Sequence, residues 1–183
     1  REKIMTNSHA RNNDLDLLHP VVRDAVKKIE KKLNDEGIPF KVFEAFRFPE
    51  RQADLYAKGR TEPDTKIVTY AKPWSSYHQY GLAVDFVLFE NGKWGWDDST
   101  PEKKKWWKRM HELGRENGLS PLDFEAPHLQ ISGTSSNALN QGHYPSGGDD
   151  LWAEHLAAVI AGWKDSPSAP PNPNVPSRPV IVV

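Results

Sequence analysis

The sequence contains no cysteine, and this absence limits the chemistry open to the chain. Without thiols the chain forms neither disulfide bonds nor thiolate metal sites, so histidine and carboxylate side chains would have to hold any metal ion. No apolar run approaches the ~20 residues that span a bilayer. The net charge is -1, which gives no overall field to attract nucleic acid or an anionic membrane. We therefore expect no nucleic-acid partner and no membrane span.

Composition divides the 183 residues into three parts. Residues 1–18 form a polar lead-in that lacks the apolar stretch of a secretory signal. Residues 19–164 carry regular apolar periodicity, and their number suits a single domain. Residues 165–183 are rich in Pro, Ser and Asn, which predicts a Pro-rich linker or a disordered tail.

The apolar periodicity predicts an α+β domain. Prolines near the start and glycines after the end mark the helices. Asn-Gly within "ENGK" predicts a hairpin turn, because both residues tolerate positive φ. The predicted architecture is a small antiparallel sheet flanked by two or three helices. Helices are predicted within 19–37, 49–59, 97–118 and 149–163, and strands near 39–47, 82–89, 93–96 and 124–131.

One aspartate interrupts the apolar strand within "SSYHQYGLAVDFVLF". Alternation along residues 82–89 places Asp85 as the only ionisable side chain on either face. An unpaired buried carboxylate is costly, so Asp85 needs a cation, several hydrogen-bond donors or a metal ion. His78 precedes the strand, and Gly81 allows a turn that folds the imidazole back toward Asp85.

A second cluster lies in "FEAPHLQ", where His128 and Gln130 share one strand face and Glu125 lies three residues before His128. If the two strands are neighbours, His78, Asp85 and His128 converge. Two imidazoles, a carboxylate and a water would form a catalytic zinc site. Glu125 would then supply the general base for hydrolysis. From the residues alone, however, a structural hydrogen bond between His78 and Asp85 is the commoner interpretation.

Three segments together resemble the zinc D-Ala-D-Ala carboxypeptidase and L-alanyl-D-glutamate peptidase family of peptidoglycan peptidases, which includes phage endolysins. Residues 76–85 match its S-x-H-x-x-G-x-A-x-D motif, and residues 125–128 match its E-x-x-H motif. The upstream segment "FRFPERQADLYAKGRT" at 46–61 is similar to the family's endopeptidase members. The resemblance covers roughly residues 38–132, with the three pieces in the family order.

The resemblance implies a role for each matching residue and a Hedgehog/D-Ala-D-Ala-peptidase-like fold. One zinc ion would be bound by three metal ligands, His78, Asp85 and His128. Glu125 would be the catalytic base, and Arg47 would bind the substrate and stabilise the oxyanion. Ser76 matches a substrate-binding position. Residues 19–164 would be the zinc peptidase catalytic domain.

The function that the resemblance implies is hydrolysis of peptidoglycan stem peptides, with the L-Ala-D-Glu bond favoured by the segment at 46–61. D-Ala-D-Ala carboxypeptidase activity is the alternative within the family. A non-catalytic, zinc-containing cell-wall-binding module is the alternative outside it, because Hedgehog-type signalling domains resemble the same fold. We expect a monomer that acts on the cell wall, in the periplasm or outside the cell. Release through a phage holin is one export route consistent with the polar lead-in.

The other histidines and cleft candidates have simpler interpretations. His111, His143 and His155 are predicted to be non-ligand residues, with His143 able to line the cleft from a loop. Core packing is favoured for Trp94 and Trp96 over a wall for substrate. Arg51 and Arg60 are predicted to form structural salt bridges, like Lys and Arg in most helices and loops. These three sets therefore contribute no catalytic group to the predicted mechanism.

Overall fold

The structure is a computed structural model, and it describes residues 7–174. Within this range the chain forms an antiparallel sheet with helices on its faces and ends, which confirms the predicted α+β class. The three long helices and the hairpin lie where the sequence predicts them. The helices are α1 (Pro20–Asp35), α2 (Pro49–Ala57), α3 (Pro101–Glu116), α4 (Ser136–Asn140) and α5 (Asp150–Gly162), and the strands are β1 (Phe40–Glu44), β2 (Ala83–Glu90), β3 (Lys93–Gly95), β4 (Leu119–Leu122) and β5 (Glu125–Ile131).

Local sequence explains where the two longest helices begin and end. α1 starts with Pro20 in its first turn, and the His19 ring accepts a hydrogen bond from the Val21 N–H. In α3 the Thr100 hydroxyl accepts the Lys103 N–H, again with a proline in the first turn. Gly37 and Gly118 follow the two helices in the left-handed conformation that glycine adopts without strain.

The sheet has β2 at its centre, with β1 on one side and both β5 and β3 on the other. β4 extends the sheet beyond β5, so the strand order is β1-β2-β5-β4. The Asn91-Gly92 turn has φ of 51° and 74°, as the hairpin prediction requires. β4, α4 and a 3-10 helix at Tyr77–Tyr80 were not predicted, because short elements carry too few residues to show a period.

One face of the sheet forms the hydrophobic core under α1 and α3. Alternate residues of β2 point into it together with their cross-strand partners: Phe40, Val42, Val84, Phe86, Leu88 and Leu129. The contact with α3 is close, since a Cβ on Gly114 would lie 2.7 Å from Leu129 Cδ2. Only one of the two adjacent tryptophans of α3 is buried. Trp107 is the buried residue, packed edge-to-face on Phe40, while Trp106 is half-buried.

Both described ends of the chain contact the rest of the molecule. Asn12 O accepts the Ala45 N–H at 2.7 Å, and the Arg11 guanidinium donates to Phe43 O. Residues 165–174 contain no helix or strand, and Tyr144 Oη donates to Pro171 O at 2.6 Å. The division into a lead-in, a domain over 19–164 and a tail stays a prediction, and residues 1–6 and 175–183 lie outside the described residues. Among residues 7–174, no helix combines the length and apolar character needed to cross a bilayer.

Candidate active site

A row of three cross-strand neighbours places the predicted site on the sheet face opposite the core. Asp85 of β2 pairs with Glu44 of β1 on one side and with His128 of β5 on the other. Directly opposed residues of antiparallel strands project to the same face, so the three side chains stand side by side. A register shift between Val42 and Glu44 brings Glu44 into this row.

His78 enters the row from the 3-10 helix at Tyr77–Tyr80. The Ser76 hydroxyl accepts the His78 N–H at the start of this helix, and Gly81 ends it with φ 69°. The turn places His78 Nε2 at 3.1 Å from Asp85 Oδ1, and His128 Nδ1 lies 3.2 Å from the same oxygen. The three potential ligand atoms lie within 4.8 Å of one another. The structure therefore brings together the three residues predicted as metal ligands.

Each imidazole is oriented by a second hydrogen bond on its far side. Ala45 O lies 2.7 Å from His78 Nδ1, and Gln130 Oε1 lies 2.9 Å from His128 Nε2. An oxygen acceptor requires an N–H at that ring position, which leaves the other nitrogen of each neutral ring with a lone pair toward Asp85. Three electron-pair donors then face one another across a small gap, an arrangement suited to a bound cation. The residues thus fit a metal ion on their own geometry.

The electrostatics of the cluster agree with this fit. Burial would raise the pKa of Asp85, but His78 and His128 hold it well below its usual range. Burial would lower the pKa of His128, yet the adjacent negative charge of Asp85 raises it. The cluster is therefore built around an ionised carboxylate that favours positive charge beside it.

Glu125 stands at the edge of the same cluster, at the start of β5. Its Oε2 lies 3.8 Å from His128 Nδ1, and its side chain is 44% exposed. The adjacent backbone is fixed because Ala126 O accepts a hydrogen bond from His111 Nε2 at 2.7 Å. His111 thus makes a structural contact to the strand that carries Glu125. A carboxylate in this place is open to solvent on one side and close to the metal-ligand group on the other.

Arg47 is the buried cation of the site. Its Nη2 donates to Glu44 Oε1 at 2.6 Å and lies 3.6 Å from Asp85 Oδ2, while its Nη1 donates to Gln52 Oε1. Burial would lower the pKa of the guanidinium, but Glu44 raises it. Held on these sides, Arg47 has one orientation to offer a substrate.

A cleft of about 640 Å³ opens over these groups. Its charged lining consists of Glu44, Arg47, Arg51, Asp85 and Glu125, and its apolar lining includes Phe43, Leu55, Val68, Trp96 and Phe124. The prediction of core packing for Trp96 is wrong. Its ring is 52% exposed and meets Phe43 edge-to-face, because β3 ends one residue earlier and leaves this side chain at the cleft wall.

Comparison with known proteins shows which family the chain belongs to. A model of the VanY family, described as D-alanyl-D-alanine carboxypeptidase, matches residues 15–135. The chain belongs to the VanY family. This confirms the resemblance inferred from the three motifs.

Among curated proteins, peptidoglycan L-alanyl-D-glutamate endopeptidase CwlK of Bacillus subtilis (strain 168) is 36% identical to this VanY-family chain over 106 residues. The match covers 56% of the chain and 63% of CwlK, so it spans less than two thirds of that relative. Among solved structures, the LdcB LD-carboxypeptidase superposes with a TM-score of 0.50 at 20% identity, over 70% of this chain and 66% of LdcB. The L,D-carboxypeptidase DacB from Streptococcus pneumonia has a TM-score of 0.49 at 21% identity, over 74% and 78% of the two chains. LdcB supports the fold alone.

Sequence reasoning missed the buried polar residues beneath the site of this VanY-family chain. Glu44 has a side chain only 1% exposed, and Gln52 and Gln79 are fully buried. Gln79 donates to Gln52 Oε1, and Gln52 donates to Ala71 O, so the amides brace Arg47 from below. Glu44 gave a weaker signal than Asp85, since Lys41 is a second charged residue in the same strand. Gln52 and Gln79 gave no such signal.

The remaining predicted residues lie outside the metal-ligand group. Ser76 caps the 3-10 helix, and the cleft lining described above does not include it. His143 lines a different cavity, beside Thr134 and Tyr144. His155 packs edge-to-face on Phe46. For Ser76 the substrate-binding role therefore stays a prediction.

Proposed function

We propose that this protein is a zinc-dependent peptidase that cleaves peptidoglycan stem peptides at the L-Ala-D-Glu bond. The observation that carries the proposal is the convergence of His78, Asp85 and His128, with Glu125 beside them at the edge of an open cleft. The bond type is supported by the 36% identity to an L-alanyl-D-glutamate endopeptidase. The protein acts as a monomer on the cell wall.

In this proposal the chain positions one zinc ion and the groups that move protons around it. His78, Asp85 and His128 would hold the ion, which when bound would polarise the scissile carbonyl and lower the pKa of a water molecule. Glu125 takes the proton of the attacking water and delivers it to the leaving amine. Arg47, fixed by Glu44 and Gln52, stabilises the negative charge that develops on the carbonyl oxygen.

D-Ala-D-Ala carboxypeptidase activity is the second candidate, and it is favoured by the description of the matching family model. Digestion of purified muropeptides with the zinc-loaded protein separates the two by product mass. We expect release of the stem peptide after its first alanine. Release of terminal D-Ala alone would contradict the endopeptidase proposal in favour of the carboxypeptidase.

The Glu125→Gln variant separates a peptidase from a zinc-containing cell-wall-binding module. We expect it to lose at least about 100-fold in kcat, the usual contribution of a general base, while it retains zinc. Asp123→Asn is the matched control, because Asp123 is an exposed carboxylate in the same β4–β5 turn. Equal activity of Glu125→Gln and wild type, or a wild type without zinc and without hydrolysis, would refute the proposal.

A further inference from the structure

The carboxylate of Glu44 is shared by two guanidinium groups in the cleft wall. Arg47 Nη2 lies 2.6 Å from Oε1, and Arg51 Nε lies 2.6 Å from Oε2. Arg51 Nη2 also reaches Oε1 at 3.5 Å. One carboxylate therefore balances two fixed cations, and this part of the wall retains an excess positive charge.

The two arginines differ in what they have left to offer a ligand. Arg47 is also bonded to Gln52 and faces Asp85. Arg51 is bonded to Glu44 through Nε and Nη2, and among residues 7–174 no protein acceptor lies within hydrogen-bond distance of its Nη1. Its side chain is 20% exposed and lines the cleft. A guanidinium with free N–H groups beside a bound carboxylate is suited to receive a second anion.

The charge of the whole cleft favours an anionic ligand once a divalent ion is bound. Three carboxylates and two guanidiniums line it. The net charge of these five groups is therefore negative. A divalent cation between His78, Asp85 and His128 makes the net charge of the cleft positive, with one excess positive charge. Positive potential in a cleft with apolar walls attracts anionic substrate groups.

The substrate of the proposed function carries a suitable anion. A glutamyl residue within a peptide uses its amine and one carboxyl group in amide bonds, so its second carboxyl group remains free and ionised. In an L-alanyl-D-glutamyl bond, the amine of that same residue is the leaving group. The free carboxylate therefore lies a few bonds from the scissile nitrogen, on the leaving side of the cleft.

We propose that Arg51 binds the free carboxylate of the residue whose amine leaves, and thereby makes the cleft specific for a glutamyl residue at that position. The inference rests on the proposed function and deepens it. Arg47 acts on the scissile carbonyl, and Arg51 holds the leaving residue; the shared Glu44 fixes the spacing between them. Arg51 is thus a specificity-determining residue in addition to a structural one.

The test compares two synthetic stem peptides that differ only in this group, one with the free glutamyl carboxyl and one with the carboxyl converted to an amide. Wild type, Arg51→Gln, Arg51→Lys and the control Arg115→Gln are assayed on both. Arg115 is an exposed arginine near the end of α3, and it is absent from the cleft lining. The ratio of kcat/KM for acid over amide is measured for each protein, because partial unfolding or zinc loss cancels in this ratio.

We expect wild type and Arg115→Gln to prefer the acid. Arg51→Gln should lose about 10- to 100-fold more in kcat/KM on the acid than on the amide, the range for a charged hydrogen bond. The loss for Arg51→Lys should lie between those of wild type and Arg51→Gln, since lysine keeps the charge but lacks the planar pair of N–H groups of a guanidinium. Equal fold losses of Arg51→Gln on both peptides, which leave the acid-to-amide ratio unchanged, would overturn the inference and leave the proposed function standing. A zinc-loaded wild type that cleaves neither peptide would overturn the proposed function itself.

Discussion

Replacing Glu44 with glutamine tests whether this buried carboxylate organises the cleft. Glutamine has nearly the same shape, and its oxygen can still accept from one arginine. Its NH2 group, however, would face the other guanidinium, and the negative charge that both require would be gone. Since Glu44 is 1% exposed, water cannot replace that charge.

The size of the expected destabilisation depends on how far other groups balance the charge of each arginine. Breaking a buried ion pair by removing one partner costs about 3 to 5 kcal/mol. Arg51 is partly solvated, and Arg47 keeps Gln52 and the charge of Asp85, so the lower part of the range applies. We expect Glu44→Gln to lower the free energy of unfolding by about 3 kcal/mol. Because Arg47 also loses its orientation, kcat should fall more than KM changes.

Urea denaturation of the zinc-loaded proteins, together with steady-state kinetics, measures both effects. Glu116→Gln is the control, because it weakens a surface pair with Arg109 in which the glutamate is 60% exposed, and such pairs contribute little. If Glu44→Gln unfolds at the same urea concentration as wild type and keeps its kcat, the argument from burial and shared charge is refuted.

The same variant has a pH signature. Burial would raise the pKa of Glu44, but Arg47 and Arg51 lower it below its ordinary value of 4.5. A carboxyl group whose pKa is lower in the folded than in the unfolded protein stabilises the folded state when the pH is above the ordinary pKa. This contribution is lost as the pH falls through the folded pKa. The stability difference between wild type and Glu44→Gln should therefore shrink below about pH 4.5.

Three further predictions concern regions around the site. Burial lowers the pKa of His155 to about 4 from 6.5. Its neutral form therefore stabilises the fold above pH 6.5, and this contribution is lost as the pH falls toward 4. The midpoint of thermal unfolding should depend less on pH over that interval in His155→Leu than in wild type. Gly142 and Gly147 have φ of 82° and 83°, but only at Gly142 would a Cβ meet the Pro-rich segment, at 2.9 Å. Gly142→Ala should therefore lower the unfolding midpoint more than Gly147→Ala, and equal shifts would show that the contact contributes nothing. Gln130→Leu removes the acceptor that orients His128, so chelator competition should show about 10- to 100-fold weaker zinc binding, and unchanged affinity would contradict this orientation.

Some parts of this molecule could be predicted from the sequence because a strong local pattern encodes them. α1 and α3 have long apolar periods with prolines and glycines at their ends, and Asp85 is conspicuous because it interrupts an apolar strand. The convergence of His78 and His128 required strand neighbours, which periodicity alone does not give. The motif order supported it, and the pairing of Asp85 with His128 accounts for it.

Other parts depend on long-range contacts that leave no local pattern. The register shift in β1 decides that Glu44 joins the row of Asp85, and a single extra residue in a strand cannot be recognised from composition. Gln52 and Gln79 are buried although glutamine is usually exposed, because they bond to each other across the fold and Gln52 also bonds to Ala71 O. The prediction of core packing for Trp96 is wrong because alternation indicates the face on which a strand residue lies but not where the strand ends.

The contacts of Arg11 and Asn12 with the segment that ends in Ala45 also bear on how the protein behaves at high concentration. β1 is an outer strand of the sheet, and an outer strand with free N–H and C=O groups is a template for pairing with another molecule. Here the carbonyl of Asn12 and the guanidinium of Arg11 occupy two of those groups near the C-terminal end of the strand. Residues 7–14 thus shield this edge of the sheet from edge-to-edge pairing, and shortening the chain at this end would remove that shield together with the Arg11 contact to Phe43 of the cleft wall.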